Sequence, residues 1–174
     1  MGEKIFVEIS MKNQLSEPSI EGIVVNWRDV TERVASERKI AYMANYDELT
    51  KLPNRFYFNN RITRLCQKNN KRNSNFALLM LNIDGFKYIN HSLGMKSGDT
   101  MITEVVKRLQ SYLGDDRFIC RYSVDQFGVL ITDIGQMDKF QKVAQELVDL
   151  FNGSFKVEMY ELFISVSVGV ASIP

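Results

Sequence analysis

The sequence has almost no excess of either charge and very few histidines or cysteines, and each shortage excludes a class of function. Its 174 residues include 22 Lys and Arg against 21 Asp and Glu, for a net charge of +1. Polyanion binding needs a concentration of basic residues, so nucleic acid is not an expected partner. The one histidine, His91, and the two distant cysteines, Cys66 and Cys120, cannot build a Cys/His zinc site. We therefore predict that both thiols are core residues.

Long hydrophobic runs are lacking as well. The apolar runs at 76–81 and 162–164 fall far short of the roughly 20 residues that a membrane-spanning helix needs. Glu3, Glu8 and Glu17 interrupt the N-terminal region, which has no apolar segment of the signal-peptide type. The chain is instead 45% apolar and 11% aromatic, which suits one globular domain with an appendage. We predict a cytoplasmic chain without a membrane span.

The N-terminal region predicts two strands, over 5–10 and 20–28, and then a helix over 31–44. A pair of strands is marginal in water, so it needs the rest of its own domain, the following domain or a second chain to pack on. The helix is highly charged but places small apolar residues at helical spacing. We interpret it as a connecting helix, and both pairing with a twin in a dimer and a solvated single helix remain open.

The remainder of the chain predicts a regular α+β pattern. Expected strands cover 76–83, 118–122, 127–132 and 162–171, and expected helices cover 100–113 and 138–152. The order strand, helix, hairpin, helix, strand is that of the ferredoxin-like βαββαβ arrangement. We therefore expect a mostly antiparallel sheet with the hairpin at its centre.

Two polar interruptions of this pattern are candidate functional positions. Asn82 and Asp84 share one face at the end of the first of these strands, and Asp125 lies at the hairpin tip. Because the first strand neighbours the hairpin in this fold, Asp84 and Asp125 could converge. Paired carboxylates hold Mg²⁺, usually together with substrate phosphates. Ordinary strand-end and turn aspartates are the alternative interpretation.

Four segments resemble, in order and spacing, the GGDEF domain of diguanylate cyclases. They are DELTKLPNR at 47–55, NIDGFKYIN at 82–90, GMKSGD at 94–99 and RYSVDQF at 121–127. The resemblance covers about residues 45–174 and implies the nucleotidyl-cyclase-like variant of the fold. It also implies an activity that condenses two GTP molecules into cyclic di-GMP, between two domains that each present one Mg²⁺-bound GTP.

The N-terminal region resembles the end of a PAS domain, although over a shorter match. Residues 5–35, which end in WRDVTER, look like the last two strands of such a domain and the helix that follows. The resemblances imply a PAS fragment over 1–30, a signalling helix over 31–46 and a GGDEF-like domain over 47–174 that lacks its C-terminal helix.

The resemblance assigns roles to individual residues. Asn90 and Asp99 match the guanine contacts of the family, and Lys87 matches its phosphate-side lysine. Asp125 matches the metal-binding aspartate of the signature and is the retained catalytic position, whereas Asp84 is the second candidate metal ligand because of its place at the strand end. For the first three residues, a turn asparagine, an N-cap aspartate ahead of Thr100 and a helix-surface lysine are the respective alternatives.

The departures from the family fall on its catalytic machinery. Asn82 stands where the first metal aspartate is expected, and Gln126 replaces the glutamate of the signature. Ser123 and Val124 replace two glycines, and a β-branched residue disfavours the positive φ of a two-residue hairpin turn, so the turn must change shape or bring Val124 toward the phosphate. At about 3 kcal/mol per lost contact, each charge loss would slow the reaction by about two orders of magnitude. Residues 114–117 read GDDR, so the Arg-x-x-Asp product-inhibition motif is missing as well.

Three functional hypotheses follow. The first is a catalytically silent GGDEF domain that regulates by binding GTP or by forming a homodimer, coupled to the PAS sensor and placed beside an EAL-type phosphodiesterase domain in the intact protein. The second is an active or weakly active diguanylate cyclase. The third is an interaction module without a nucleotide.

Overall fold

The computed structural model describes residues 4–72, 76–114, 117–132 and 138–173. The chain divides into two units, Met1–Met43 and Ala44–Pro174. The elements in the described residues are β1 (Val7–Gln14), β2 (Gly22–Asp29), α1 (Thr31–Met43), α2 (Arg55–Arg72), β3 (Phe76–Ile83), α3 (Phe86–Leu93), α4 (Met95–Leu113), β4 (Phe118–Arg121), β5 (Gln126–Thr132), α5 (Asp138–Asp149), β6 (Phe155–Val157), β7 (Tyr160–Leu162) and β8 (Val166–Ile173). None of the helices described here is both long and apolar enough to cross a membrane.

The first unit is an antiparallel hairpin of β1 and β2 followed by α1. The backbone N–H of Val30 donates to the carbonyl of Phe6 at 2.9 Å, and the N–H of Phe6 donates to Thr31 Oγ1 at 2.9 Å. These bonds tie the start of the helix to the start of the hairpin. Most apolar side chains of the hairpin are exposed, with Trp27 at 67%. The predicted strands and helix of this unit are confirmed, with shifted ends.

The second unit is built on a four-stranded antiparallel sheet in the order β4-β5-β3-β8. The predicted α+β fold class is confirmed, and β3 has the predicted bounds. The prediction that the hairpin lies at the centre is wrong, because β4 forms one edge and β5 lies between it and β3. The four-residue strand β4 has one partner, whereas β3 is apolar along almost its whole length and takes a central position.

Helices cover both faces of this sheet. Alternate residues of the apolar strand β3 point to opposite sides, so each face carries apolar side chains that must be buried. On one face Leu79 and Leu81 pack in the large core with α4 and α5 residues such as Ile102 and Leu147. On the other face a smaller cluster forms around Phe58 of α2. Cys120 is fully buried in this smaller cluster, as predicted, whereas Cys66 is only partly buried and packs against it. Burial raises the pKa of the Cys120 thiol to about 12.

Two features of this unit were not predicted. The short helix α3 and the β6–β7 hairpin have too few residues to show a periodic pattern. Helix α4 begins at Met95 rather than at residue 100. Asp99 therefore lies inside α4, and the alternative that it caps a helix beginning at Thr100 is wrong.

Candidate functional site

A tight turn connects β3 to α3 and places candidate residues on both sides of it. Strand β3 ends at Ile83, and α3 begins at Phe86. Between them Gly85 has φ 70° and ψ 13°, a left-handed conformation that glycine adopts without a Cβ penalty. Asp84 is thereby fixed at the end of the sheet, and Lys87 lies exposed in the first turn of α3.

The corner between α3 and α4 brings the two candidate guanine contacts together. The N–H of Gly94, between the helices, donates to the carbonyl of Asn90 at 3.0 Å. The side-chain amide of Asn90 lies so close to Gly98 that a Cβ built there would be 1.8 Å from Oδ1. Asp99 is the next residue and is exposed. Lys87 is one helical turn before Asn90 and therefore lies on the same side of α3.

The signature segment forms a turn of a different type from a two-residue hairpin turn. The N–H groups of Tyr122 and Ser123 both donate to the carbonyl of Gln126, at 2.8 and 3.2 Å. Within the described ranges, the non-glycine residues with positive φ are Glu21, Lys51 and Glu158. Val124 thus avoids the conformation that it disfavours, and the residue is 62% exposed. A turn without positive φ at Val124 is one of the two predicted alternatives, and the other, an approach of Val124 to the phosphate, stays a prediction.

Asp84 and Asp125 lie at one end of the sheet, where their polar groups mainly contact other parts of the protein. Asp84 accepts hydrogen bonds from the hydroxyls of Ser165 and Ser167, each at 2.8 Å, so both of its oxygens are engaged. The carbonyl of Asp125 accepts the N–H of Ile83 at 3.0 Å. The backbones at Asp84 and Asp125 therefore meet at neighbouring strand ends. The carboxylate of Asp125 lies 3.5 Å from the hydroxyl of Ser123.

The donor set at this end fits Mg²⁺ poorly. Asn82 is in register with Gln126 of β5, so two neutral amides occupy adjacent strands. Magnesium prefers carboxylate oxygens with near-octahedral geometry, and the two carboxylates here include Asp84, which already accepts two hydroxyls. Across the described part of the chain, no group of three or more His, Cys, Asp or Glu side chains is arranged to hold a metal ion.

An ion pair that sequence reasoning missed holds the signature turn from outside. Arg121 donates through Nη1 to Asp47, at 3.1 and 3.3 Å, and through Nη2 to the carbonyl of Val124 at 2.9 Å. Asp47 also accepts the N–H and hydroxyl of Thr50. Burial raises the pKa of Asp47, but the hydrogen bonds from Thr50 and Arg121 outweigh it and leave the pKa below its usual value. Both residues belong to segments that carry the resemblance, although the sequence did not show that they pair.

A cavity of about 630 Å³ lies between the start of α2 and the signature turn. Its lining includes Asp47, Arg55, Phe56, Arg121 and Val124. The candidate guanine and phosphate contacts do not line it. This cavity is therefore distinct from the α3–α4 corner.

Comparison with known proteins identifies the family. The sequence model of the family described as "Diguanylate cyclase, GGDEF domain" matches residues 44–174. This match covers most of the chain, and the chain therefore belongs to the GGDEF-domain family.

Two relatives and one solved structure illustrate the similarity. "Signaling protein YkoW" of Bacillus subtilis is 33% identical over 89% of this chain and 20% of its own length. "Bifunctional diguanylate cyclase/cyclic di-GMP phosphodiesterase MucR" of Pseudomonas aeruginosa is 30% identical over 83% of this chain and 21% of its own length. The coiled coil and GGDEF domain of DgcB from Caulobacter crescentus, solved with c-di-GMP, has a TM-score of 0.71 and 25% identity over 82% of this chain and 77% of that one. The chain spans about a fifth of the curated relatives named here.

Proposed function

We propose that this GGDEF domain is catalytically silent and serves cyclic di-GMP signalling as a GTP-binding or dimerising regulatory module. The observation that carries the proposal is the contrast between the two ends of the site. The residues suited to guanine lie together at the α3–α4 corner, whereas neutral amides and an engaged carboxylate occupy the end where metal and phosphates would bind.

Guanine recognition by Asn90 and Asp99 follows from donor and acceptor chemistry. A carboxylate accepts hydrogen bonds, and guanine offers N1–H and an exocyclic amino group as donors. An amide supplies a donor for the acceptors O6 or N7. Lys87, exposed on the same side of α3, carries a positive charge that suits a phosphate. We assign these three residues to GTP binding.

Catalytic silence follows from the charges at the other end. In-line attack on a phosphate needs metal ions or fixed charges that stabilise the transition state. Asn82 and Gln126 supply neutral oxygens. The remaining carboxylate of the signature turn, that of Asp125, has among the described residues only a long contact of 3.5 Å with the hydroxyl of Ser123. We expect Mg²⁺ to bind weakly or not at all, and we expect turnover to be negligible.

The regulatory context rests on the two resemblances and on the relatives. We assign residues 1–30 to the end of a PAS sensor and residues 31–46 to a helix that couples it to the domain at 47–174, in a cytoplasmic homodimer. A relative named as both cyclase and phosphodiesterase supports an EAL-type phosphodiesterase domain as the partner in the intact protein. The silent domain would then change the activity of that partner when GTP binds.

An active cyclase is the second candidate, because Asp125 is retained and a relative is named as a cyclase. The two candidates differ in product formation. Incubation of the chain with GTP and either Mg²⁺ or Mn²⁺, followed by chromatography, should yield no cyclic di-GMP. Product that disappears in the Asp125→Ala variant would establish the active cyclase instead.

Calorimetric titration of GTP tests the binding half of the proposal. We expect micromolar affinity, and we expect the Asp99→Ala variant to weaken it by about tenfold to a hundredfold, because a charged hydrogen-bond acceptor is removed. The exposed Asp149 of α5 supplies a matched control, and Asp149→Ala should bind as the unaltered chain does. Absence of GTP binding would leave the interaction module without a nucleotide.

A further inference from the structure

The amide of Asn90 occupies the space that a side chain at position 98 would need. A Cβ built on Gly98 would stand 1.8 Å from Oδ1 and 2.9 Å from Cγ of Asn90. Gly98 is buried within α4, and Asn90 is half-buried on α3. Any residue other than glycine at position 98 must therefore displace either the amide or a helix.

The surrounding contacts leave the amide as the group that would move. The N–H of Gly94 donates to the carbonyl of Asn90, and the N–H of Gly98 donates to the carbonyl of Gly94 at 3.2 Å, so backbone hydrogen bonds fix the corner. Phe86 lies one turn before Asn90 and is 4% exposed, and its Cζ would stand 3.3 Å from the same Cβ. Packing thus restrains both helices, whereas a rotation about χ1 or χ2 frees the amide.

We propose that Gly98 is a positioning residue for guanine recognition, because its missing side chain lets the Asn90 amide lie against α4 beside Asp99. This inference rests on the proposed function, which gives the amide its role on the base. Gly98 itself does not touch the nucleotide. It sets the place from which Asn90 and Asp99 contact the same base.

The test compares two identical substitutions at different places. Gly98→Ala should weaken GTP binding by about tenfold or more in calorimetric titration. Gly169→Ala adds the same methyl group on β8, where no neighbouring heavy atom lies within 4 Å and φ is not positive, and should keep the affinity within about twofold. Unchanged affinity in Gly98→Ala would overturn the proposal.

A double-mutant cycle shows whether Gly98 acts through Asn90. In an Asn90→Ala background the amide is gone, so Gly98→Ala should cause no further loss of GTP affinity. An equal loss in both backgrounds would mean that position 98 acts by another route, and would overturn the proposal.

Two measurements without a nucleotide separate this inference from the proposed function. The NMR signals of the Asn90 side-chain amide should shift in Gly98→Ala and stay in place in Gly169→Ala. If Gly98→Ala lowers Tm, the double variant with Asn90→Ala should recover it, because the alanine then has room. An unmoved amide signal with an unrecovered Tm would refute the positioning role. A chain that shows both effects but binds no GTP would refute only the GTP-binding half of the proposed function.

Discussion

At the α3–α4 corner, the amide of Asn90 lies against Gly98 and Asp99 is exposed, whereas the polar groups beside the signature turn, here called the hairpin end, mainly contact the protein itself. Asp84 is bound by two serine hydroxyls, and Asn82 lies opposite Gln126 in the sheet. The same core supports both places, since Ile83 and Phe86, on either side of Asp84, are both buried. The buried frame is therefore common to both places, and the difference between them lies in the polar side chains that it carries.

The largest expected effect is a gain of catalytic activity when the four departures at the hairpin end are reversed. This change should remove the difference between the two ends of the site. Restoring Asp at 82, Glu at 126 and Gly at 123 and 124 returns two charges worth about 3 kcal/mol each, or roughly four orders of magnitude in rate. Cyclic di-GMP formation measured by chromatography should rise from undetectable to measurable. The same variant with Asp99→Ala is the control and should lose this product. If the fourfold variant forms no product, the four departures do not account for the absence of catalysis.

Loss of the ion pair that holds the signature turn should affect the hairpin end alone. Arg121→Ala leaves the partly buried Asp47 without its cation and the carbonyl of Val124 without its donor, so we expect a loss of about 3 kcal/mol in the free energy of unfolding. Denaturant unfolding measures this loss.

The matched control for the ion pair is Arg55→Ala. Arg55 is exposed, and its guanidinium carbon lies 4.9 Å from the centre of the Tyr122 ring. It should cost less than about 1 kcal/mol. GTP affinity should stay unchanged in both variants. A weakened affinity in Arg121→Ala would mean that the two ends are coupled.

The pH dependence of stability should contain a contribution from the same ion pair. The pKa of Asp47 lies below its ordinary value of 3.8 in the folded chain. Its contribution is therefore present above that value and is lost as the pH falls through the lower, folded-state pKa. Urea unfolding across this acid range should show a shallower loss of stability for Asp47→Asn. Parallel pH profiles for the variant and the unaltered chain would contradict the assignment.

Much of this fold could be predicted from the sequence because its core elements are long and strongly patterned. Strand β3 is almost wholly apolar and was predicted with its observed bounds, and the fold class followed from the order of elements. The position of β4 at the edge depends on how the chain crosses between strands, which an apolar pattern does not encode. The three-residue strands β6 and β7 are too short to show a period.

The candidate site divides in a similar way. The resemblance assigned Lys87, Asn90 and Asp99 to the candidate site, and these residues lie on one side of α3 and the adjoining turn of α4. The two serines that bind Asp84 come from β8 and the segment before it, far along the chain, and no local pattern indicated them. The close approach of Asn90 to Gly98 depends on the corner geometry at Gly94 and was equally inaccessible.

The smallest expected effect comes from removing the remaining signature carboxylate. Asp125→Ala should change GTP affinity by less than about threefold, because the proposed guanine contacts lie at the other end of the site. Calorimetric titration beside Asp99→Ala gives the comparison directly, as both variants remove one carboxylate. A loss as large as that of Asp99→Ala would assign the hairpin end a role in binding.

The most direct test of the contrast is the affinity for GTP measured once with Mg²⁺ and once with EDTA. If the α3–α4 corner binds the base of GTP and the hairpin end does not hold Mg²⁺, both titrations should give micromolar affinity within about threefold of each other. Binding that requires Mg²⁺, with a loss of about tenfold or more in EDTA, would contradict the account by showing that the hairpin end still holds the metal.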